Sequence, residues 1–285
     1  MTPKNIISSK LWDFILKWFA GKGVVYEAAS EYVYTGKHFI LLALAIIATV
    51  AVFFIYRKKP EKTVRRSLVV AAYVMMACEI LSKISKLIYF ADLGKLTFAQ
   101  AVQVILPIHF CSIIIWVLIF AILFDNKAMI SFGGVCGLLG TLVYLLYPAE
   151  GLGASFIHFR AFSSIFTHSL GFVVCFNMFA FKMIKLELKD MWKTFVLLAS
   201  MVIYCLIMNI LFPYDANGNL NNYLFMIKNP TTINTGIIPY QLVFAVVAVV
   251  FFASMYLIPH YSRRIKQKRN NHINNAAKEI SQNNE

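Results

Sequence analysis

Of the side chains that can ionise or react inside the long apolar segments of this sequence, four are the main candidates for chemistry. They are Glu79, His109, Cys111 and His168. Ionisable groups are costly in an apolar membrane interior, so those that occur there are functional candidates. A thiol becomes a nucleophile when a neighbouring imidazole takes its proton. One interpretation is therefore thiol chemistry, with Cys111 as the nucleophile and His168 as its base.

The four side chains fall at similar depths if each apolar segment crosses a bilayer as a helix. At about 1.5 Å per residue, His109 and Cys111 lie about 12–15 Å below one membrane surface. His168 lies about 12 Å and Glu79 about 16 Å below the same surface. His109 and Cys111 point about 200° apart on a regular helix, so they share a direction only if Pro107 distorts the turn. Glu79 or His109 is expected to orient His168.

Other interpretations use the same residues. Glu79, His109 and His168 carry groups that bind zinc, although no HExxH or similarly tight spacing accompanies them. Acid and imidazole groups inside a bundle are also typical of a pathway for protons or solutes. Glu79 and Lys83, four residues apart, can simply neutralise each other. No cofactor motif is present, and neither a cofactor nor a bound metal is expected.

Three further polar residues are candidates for binding a lipid headgroup. His158 and Arg160 precede His168 at the start of the same apolar segment, and arginine presents a planar pair of donors to a phosphate. The same two residues also suit a basic anchor at a membrane interface. Asn209, near the end of a later apolar segment, is the third candidate.

Seven apolar runs must position these residues. Of the 285 residues, 60% are hydrophobic and 14% are charged, whereas soluble domains average about 25% charged residues. Runs near 20 residues suit helices that cross a hydrocarbon core of about 30 Å. This composition excludes a soluble enzyme, a disordered chain and a disulfide scaffold. We predict an all-α polytopic membrane protein, a bundle of seven transmembrane helices with spans at 38–56, 67–90, 101–124, 128–147, 160–181, 191–212 and 237–258.

The basic residues indicate how the bundle is oriented. The chain carries 27 Lys and Arg against 13 acidic residues, a net charge of +14. Seventeen of the basic residues fall at one end of the predicted bundle, in 57–66, 182–193, the C-terminal tail and Lys127. Because Lys and Arg concentrate in cytoplasmic loops, we predict an outside N-terminus and a cytoplasmic C-terminus. The expected partners of these loops are anionic lipid headgroups, not nucleic acid.

The chain divides into three regions by composition. Residues 1–36 are predicted to form an extracytoplasmic arm with a short interfacial helix, an irregular arm being the alternative. Residues 37–260 form the membrane domain. Residues 261–285 are basic and rich in asparagine, so we predict a disordered cytoplasmic tail. In the outer loop 213–236, the apolar residues 223–226 are expected to fold back over a cavity mouth.

Several stretches of the sequence resemble one family. They are LPIHFC at 106–111, TLVYLLYP at 141–148, FIHFRAFSSIFTHS at 156–169 and NNYLF at 221–225, together with Glu79 and Asn209. In these stretches the chain is similar to the bacterial YwaF family of integral membrane proteins, which is related to eukaryotic transmembrane protein 164. The similarity runs from about residue 38 to residue 260.

The resemblance implies an activity. The eukaryotic relative is described as an acyltransferase that builds polyunsaturated ether phospholipids, with a Cys and a His as its proposed catalytic residues. Cys111 of LPIHFC and His168 of FTHS match these two. The resemblance thus implies a multi-pass lipid acyltransferase of the cell membrane that acts on a phospholipid or lysophospholipid. The alternatives are a transporter or small-ligand-binding protein that uses Glu79, His109 and His168, and a non-enzymatic membrane scaffold.

Overall fold

Long apolar helices dominate the computed structural model, which describes residues 9–24, 33–147, 158–215, 218–227 and 239–282. The helices are α1 (Ser9–Phe14, followed by a π-helical turn at Ile15–Phe19), α2 (Gly36–Tyr56), α3 (Glu61–Asp92), α4 (Phe98–Ile105), α5 (Phe110–Phe124), α6 (Lys127–Leu146), α7 (Phe159–Ala180), α8 (Met191–Leu211) and α9 (Tyr240–Gln282). Short 3₁₀ turns lie at Leu188–Asp190 and Tyr223–Phe225.

The helix lengths confirm an all-α membrane bundle. Within the described residues, six helices are long and apolar enough to cross a membrane, and α4 with α5 makes a seventh span that is bent by 55°. The predicted spans therefore correspond to α2, α3, the α4–α5 pair and α6 to α9. The orientation of the bundle across the membrane stays a prediction from the distribution of charge.

Local sequence signals explain where several helices begin. Thr97 caps α4: its hydroxyl accepts from the Gln100 amide N–H at 3.3 Å, while the Gln100 side chain accepts from the Thr97 amide N–H at 3.2 Å. Asn126 caps α6 by accepting from two amides of its first turn, both at 3.1 Å. Asp125, just before it, takes a left-handed backbone with φ 53° that ends α5, a conformation that Asp tolerates better than most residues.

Four helices form a ring at the core of the bundle. α6 packs against α5 and α7, and α3 also packs against both, so α5 and α7 occupy opposite corners. Glycines permit the close approach of α6. A Cβ on Gly137 would lie 2.7 Å from Sγ of Cys175 in α7, and one on Gly140 would lie 3.2 Å from the Phe110 ring of α5. Small residues are therefore required along this face of α6.

The remaining spans pack around this ring. α2 lies against α7, α8 against α6, and α9 against α8. The buried His38 connects α2 to α6, because its Nε2 donates to the Leu145 carbonyl at 2.7 Å. Its Nδ1 accepts from the Tyr34 amide at 2.9 Å. Most of the apolar surface of α2 and α9 stays exposed, as expected for helices that contact lipid.

The described part of the N-terminal arm contains the short helix α1, and its position at the membrane interface stays a prediction. The turn after it docks on the bundle, because Ser85 Oγ of α3 donates to the Phe19 carbonyl at 2.5 Å. Lys22 also pairs with Asp92 at 2.5 Å. Residues 1–8 and 25–32 of the predicted arm lie outside the described residues.

The C-terminal tail differs from its prediction. Disorder was expected after residue 260, whereas α9 continues as a helix to Gln282. Extending an existing helix needs no new nucleation, and the Lys, Arg, Gln and Ala residues of this segment have high helix propensity. Low hydrophobicity therefore did not predict the secondary structure of this segment. Residues 283–285 lie outside the described residues.

Candidate functional site

The third membrane span is broken immediately before the candidate cysteine. α4 ends at Ile105, α5 begins at Phe110, and their axes differ by 55°. Pro107 has no amide hydrogen to donate, and it disfavours helical backbone at Leu106, which is extended with ψ 144°. The prediction of one continuous helix over 101–124 is therefore corrected to two helices.

Lys83 of α3 compensates for this break. Its ammonium group donates to the carbonyl oxygens of Val104 at 3.1 Å and Leu106 at 3.4 Å, at the C-terminal end of α4. Backbone carbonyls within a membrane need such partners, and a cation is favoured at a helix C-terminus. The described hydrogen bonds of Lys83 therefore go to α4, while its charge still acts on Glu79, one turn earlier in α3.

Cys111 lies in the first turn of α5, because the break restarts the helix inside the span. His109 is the N-cap residue; it is exposed, and its side chain makes no capping hydrogen bond. It precedes the helix, so the separation of 200° for a regular helix does not apply. First-turn amides carry partial positive charge that stabilises a nearby thiolate. Glu79 accepts from Ser112 Oγ at 3.3 Å and thereby ties α3 to this turn.

The contacts of His168 determine which ring nitrogen is basic. The side chain is buried, and its ring stacks on Tyr144 with centroids 3.8 Å apart and an interplanar angle of 14°. Nδ1 lies 2.7 Å from the Ser164 carbonyl oxygen, which only accepts, so Nδ1 carries the hydrogen and Nε2 is the basic nitrogen. The described contacts that orient the ring come from Ser164 and Tyr144, whereas the sequence suggested Glu79 or His109.

One face of α6 connects the surroundings of Cys111 with those of His168. Gly140 packs against the ring of Phe110, the neighbour of Cys111 in α5. Tyr144, one turn further along α6, stacks on His168 of α7. Residues four apart lie on the same helix face, about 6 Å apart along its axis. Tyr144 was not a predicted site residue, and its place in the TLVYLLYP stretch is the signal that points to it.

A second group of polar contacts surrounds Tyr223, in the loop between α8 and α9. Its ring meets that of His109 edge to face, with centroids 5.5 Å apart. Asn209 Nδ2 donates to the Tyr223 carbonyl at 3.0 Å, and the Tyr223 amide donates to Asn209 Oδ1 at 2.9 Å. The Tyr223 hydroxyl donates to Gln103 Oε1 at 3.2 Å. Burial raises the pKa of Tyr223 to about 12, so this hydroxyl remains a donor at neutral pH.

The hydrogen bonds between Asn209 and Tyr223 bear on two of the sequence predictions. The loop packs against α8 at Tyr223, and its predicted position over a cavity mouth stays a prediction. Both side-chain polar atoms of Asn209 are engaged by backbone, so this residue supports the loop. Its predicted role in headgroup binding has no support in these contacts.

His158 and Arg160 lie at the N-terminal end of α7. His158 is fully buried and packs against Gly21, where a Cβ would lie 3.1 Å from Cε1 of the ring. Burial, together with the charge of Arg160, lowers the pKa of His158. The Arg160 guanidinium lies 5.7 Å from the centroid of the Tyr89 ring and stays half-buried. Of the headgroup candidates, Arg160 therefore retains exposed surface, whereas His158 and Asn209 are enclosed by protein.

The geometry does not favour a metal centre. In the parts of the chain that the structure describes, no three His, Cys, Asp or Glu side chains lie close enough together to hold a metal ion. Glu79, His109 and His168 all belong to these parts and do not form such a group. The described site contains the Cys111 thiol in the first turn of α5, the His168 imidazole with its basic Nε2, and the Glu79 carboxylate, which is hydrogen-bonded to that first turn.

Comparisons with known proteins support the resemblance seen in the sequence. A model of the TMEM164 family matches residues 33–258, which include nearly all of the seven spans and the two histidine-containing stretches. No curated protein and no solved structure gives a significant match. The long match and the six apolar helices with a bent seventh span agree on a multi-pass membrane protein, and the chain belongs to the TMEM164 family.

Proposed function

We propose that this protein is a membrane lipid acyltransferase in which Cys111 is the nucleophile and His168 the general base. The observation that carries the proposal is the position of Cys111 in the first turn of a helix that begins inside the third span. A thiolate is stabilised at such a position, whereas a thiol in the middle of a continuous helix gains no such help. The Nδ1–H tautomer of His168 and the activity implied by the family resemblance also support it.

The reaction proceeds in two acyl transfers. First, Cys111 Sγ attacks the carbonyl carbon of an acyl ester, and the thiol proton passes to His168 Nε2. The ester C–O bond breaks, the lysolipid oxygen leaves with the proton from His168, and the acyl group remains on Cys111 as a thioester. Then His168 takes the proton of an acceptor lysolipid hydroxyl, whose oxygen attacks the thioester. The thiolate leaves, and His168 returns the proton to it.

Neighbouring residues support these steps. First-turn amides of α5 are suited to stabilise the oxyanion that forms on the attacked carbonyl. Tyr144 positions the His168 ring by stacking, and Glu79 positions the first turn of α5. Arg160 is the proposed contact for a headgroup phosphate, because its guanidinium can bind phosphate with two parallel hydrogen bonds.

An acyl-capture experiment tests this proposal. The purified protein is incubated with an alkyne-tagged phospholipid and a lysolipid, and both the hydroxylamine-sensitive protein adduct and the tagged product lipid are measured. We expect Cys111→Ser to abolish both and His168→Gln to slow both by about 100-fold or more. Cys78→Ser is the matched control, because Cys78 is also a half-buried thiol of a membrane span. Tagged product at the wild-type rate from Cys111→Ser would contradict the proposal, as would a folded wild type that forms neither adduct nor product.

The broken span also favours a second candidate function, a pathway for protons or small solutes. Discontinuous helices are typical of transporter sites, and His109 and Glu79 lie beside this break. Proton flux into liposomes, followed with a pH-sensitive dye, tests this candidate. Flux that survives Cys111→Ser and fails in Glu79→Gln would favour it over acyl transfer.

A further inference from the structure

A cavity of about 970 Å³ opens at the end of the bundle opposite to the start of α5. The ends of α2, α5 and α7 and the beginnings of α3, α6 and α8 line it, together with Tyr256 of α9. Since α5 has 15 residues, this cavity lies about 20 Å from the turn that carries Cys111. Its volume falls within the range of about 300–1,000 Å³ that is common for small-ligand sites.

The lining of this cavity carries an excess of positive charge. Eight basic and four acidic side chains contribute to it. Three of the acidic residues are already paired with a basic neighbour: Asp125 with Arg65, Glu187 with Lys189 at 2.7 Å, and Asp190 with Lys193 at 2.6 Å. Among the described residues, Lys127, Lys182 and Lys185 form no salt bridge, although Lys185 is near enough to Glu187 to contribute to the lowered pKa of that carboxyl. The fixed charges of the cavity therefore favour an anion.

The protein backbone holds two of these lysines at the cavity. Lys182 takes a left-handed backbone with φ 57°, which turns the chain sharply after α7. Ser131 Oγ of α6 donates to the Lys185 carbonyl at 3.4 Å and tethers the segment that follows. Both lysine side chains line the cavity and remain exposed. Their cations are therefore presented to a ligand without being buried in the core.

Buried hydroxyl groups also contribute to the wall. Thr194 hydrogen-bonds to the Tyr256 hydroxyl, and both residues are almost fully buried while lining the cavity. Hydroxyl and ammonium groups together are donors that phosphate oxygens accept from. The cavity thus combines volume, excess cations and fixed donors in one place.

We infer that this cavity binds a phosphate-bearing anion. The phosphate belongs either to an anionic lipid headgroup of the adjacent leaflet or to a soluble phosphate compound, and both have the same recognition chemistry. The inference is independent of the proposed acyl transfer, which uses residues near the other end of α5. It also gives part of the chain's positive charge a function in ligand binding, besides the predicted one of orienting the bundle.

Thermal unfolding of the full-length protein, followed by tryptophan fluorescence, tests the inference in two arms. One arm titrates sodium pyrophosphate at constant ionic strength into protein in a neutral detergent. The other compares nanodiscs of phosphatidylcholine with nanodiscs that also contain phosphatidylglycerol. A ligand that binds only the folded state raises Tm as its concentration increases. A response to pyrophosphate identifies a soluble ligand, and a response confined to phosphatidylglycerol identifies a headgroup.

The variants separate the cavity from general electrostatics. Lys182→Gln with Lys185→Gln removes two cavity charges, and we expect at least about tenfold more pyrophosphate for the same rise in Tm, or the loss of the phosphatidylglycerol response. Lys266→Gln with Lys268→Gln is the matched control, because these exposed residues of α9 lie outside the lining. The control should respond as wild type does. If the cavity double variant does not fold, Lys127→Gln, at an exposed lining residue, replaces it.

Two results would overturn the inference. One is the same response in the wild type, the cavity variant and the α9 control, because general charge attraction would then explain it. The other is a folded wild type that responds neither to pyrophosphate nor to phosphatidylglycerol.

Discussion

Replacing Asn209 with alanine should release the loop that carries Tyr223. The Asn209 side chain makes two hydrogen bonds to the Tyr223 backbone, at 3.0 and 2.9 Å, and both residues are buried. Alanine leaves one amide and one carbonyl without a partner, at about 1–2 kcal/mol each. The docked loop is therefore weakened by about 2–4 kcal/mol. Because 1.4 kcal/mol is about tenfold, the undocked population rises by about 30- to 700-fold.

Limited proteolysis with chymotrypsin measures this population. Cleavage after Tyr223 requires undocking, since only 2% of its surface is exposed, and the rate follows the open population when opening is fast. Tyr214 of the same loop is 59% exposed, so cleavage after it provides an internal control that should change little. Mass spectrometry of the fragments distinguishes the two sites.

An unchanged ratio of the two cleavage rates in Asn209→Ala would refute this reasoning. In that case the apolar contacts of the Tyr223 ring, and not the amide pair, hold the loop. Tyr223→Phe separates these contributions, because it keeps the ring and both backbone bonds and removes only the hydroxyl bond to Gln103. We expect it to increase cleavage after residue 223 by much less than Asn209→Ala does, about tenfold at most.

Two further predictions concern stability. Gly137→Ala should destabilise the bundle by about 1–3 kcal/mol, because the new methyl group would lie 2.7 Å from Cys175 Sγ. Gly36→Ala is the control and should leave Tm nearly unchanged, because its methyl group would meet no atom within 4 Å. Equal Tm values for the two variants would contradict the packing argument. The pKa of His158 is lowered in the folded protein. Around and below pH 6.5 the unfolded chain therefore binds more protons than the folded protein, and the free energy of unfolding decreases as the pH is lowered. Tm measured from neutral to acidic pH should decrease less steeply in His158→Gln than in wild type, and identical slopes would exclude this residue as the cause.

Much of the bundle is predictable because membrane spans are encoded locally. Each span is a run of apolar residues whose length matches the hydrocarbon core, so the seven spans follow from composition along the chain. The expectation that Cys111 and His168 lie at a similar depth comes from the same count of residues and stays a prediction. Pro107 signals a disturbance in the third span, although the bend of 55° and the restart of a helix at Phe110 also depend on neighbouring helices.

Tertiary structure determines which groups the polar side chains bond to. Lys83 donates to carbonyls of α4, and Asn209 bonds to Tyr223, because side chains bond to the donors and acceptors that the packed helices bring near. The sequence by itself determined the class of protein, its spans and its reactive residue types, since hydrophobic length and residue chemistry are local properties. Only the tertiary structure decided which nitrogen of His168 is basic. It also decided that basic side chains from separate interhelical loops line one cavity. Those properties depend on contacts between residues far apart in the chain.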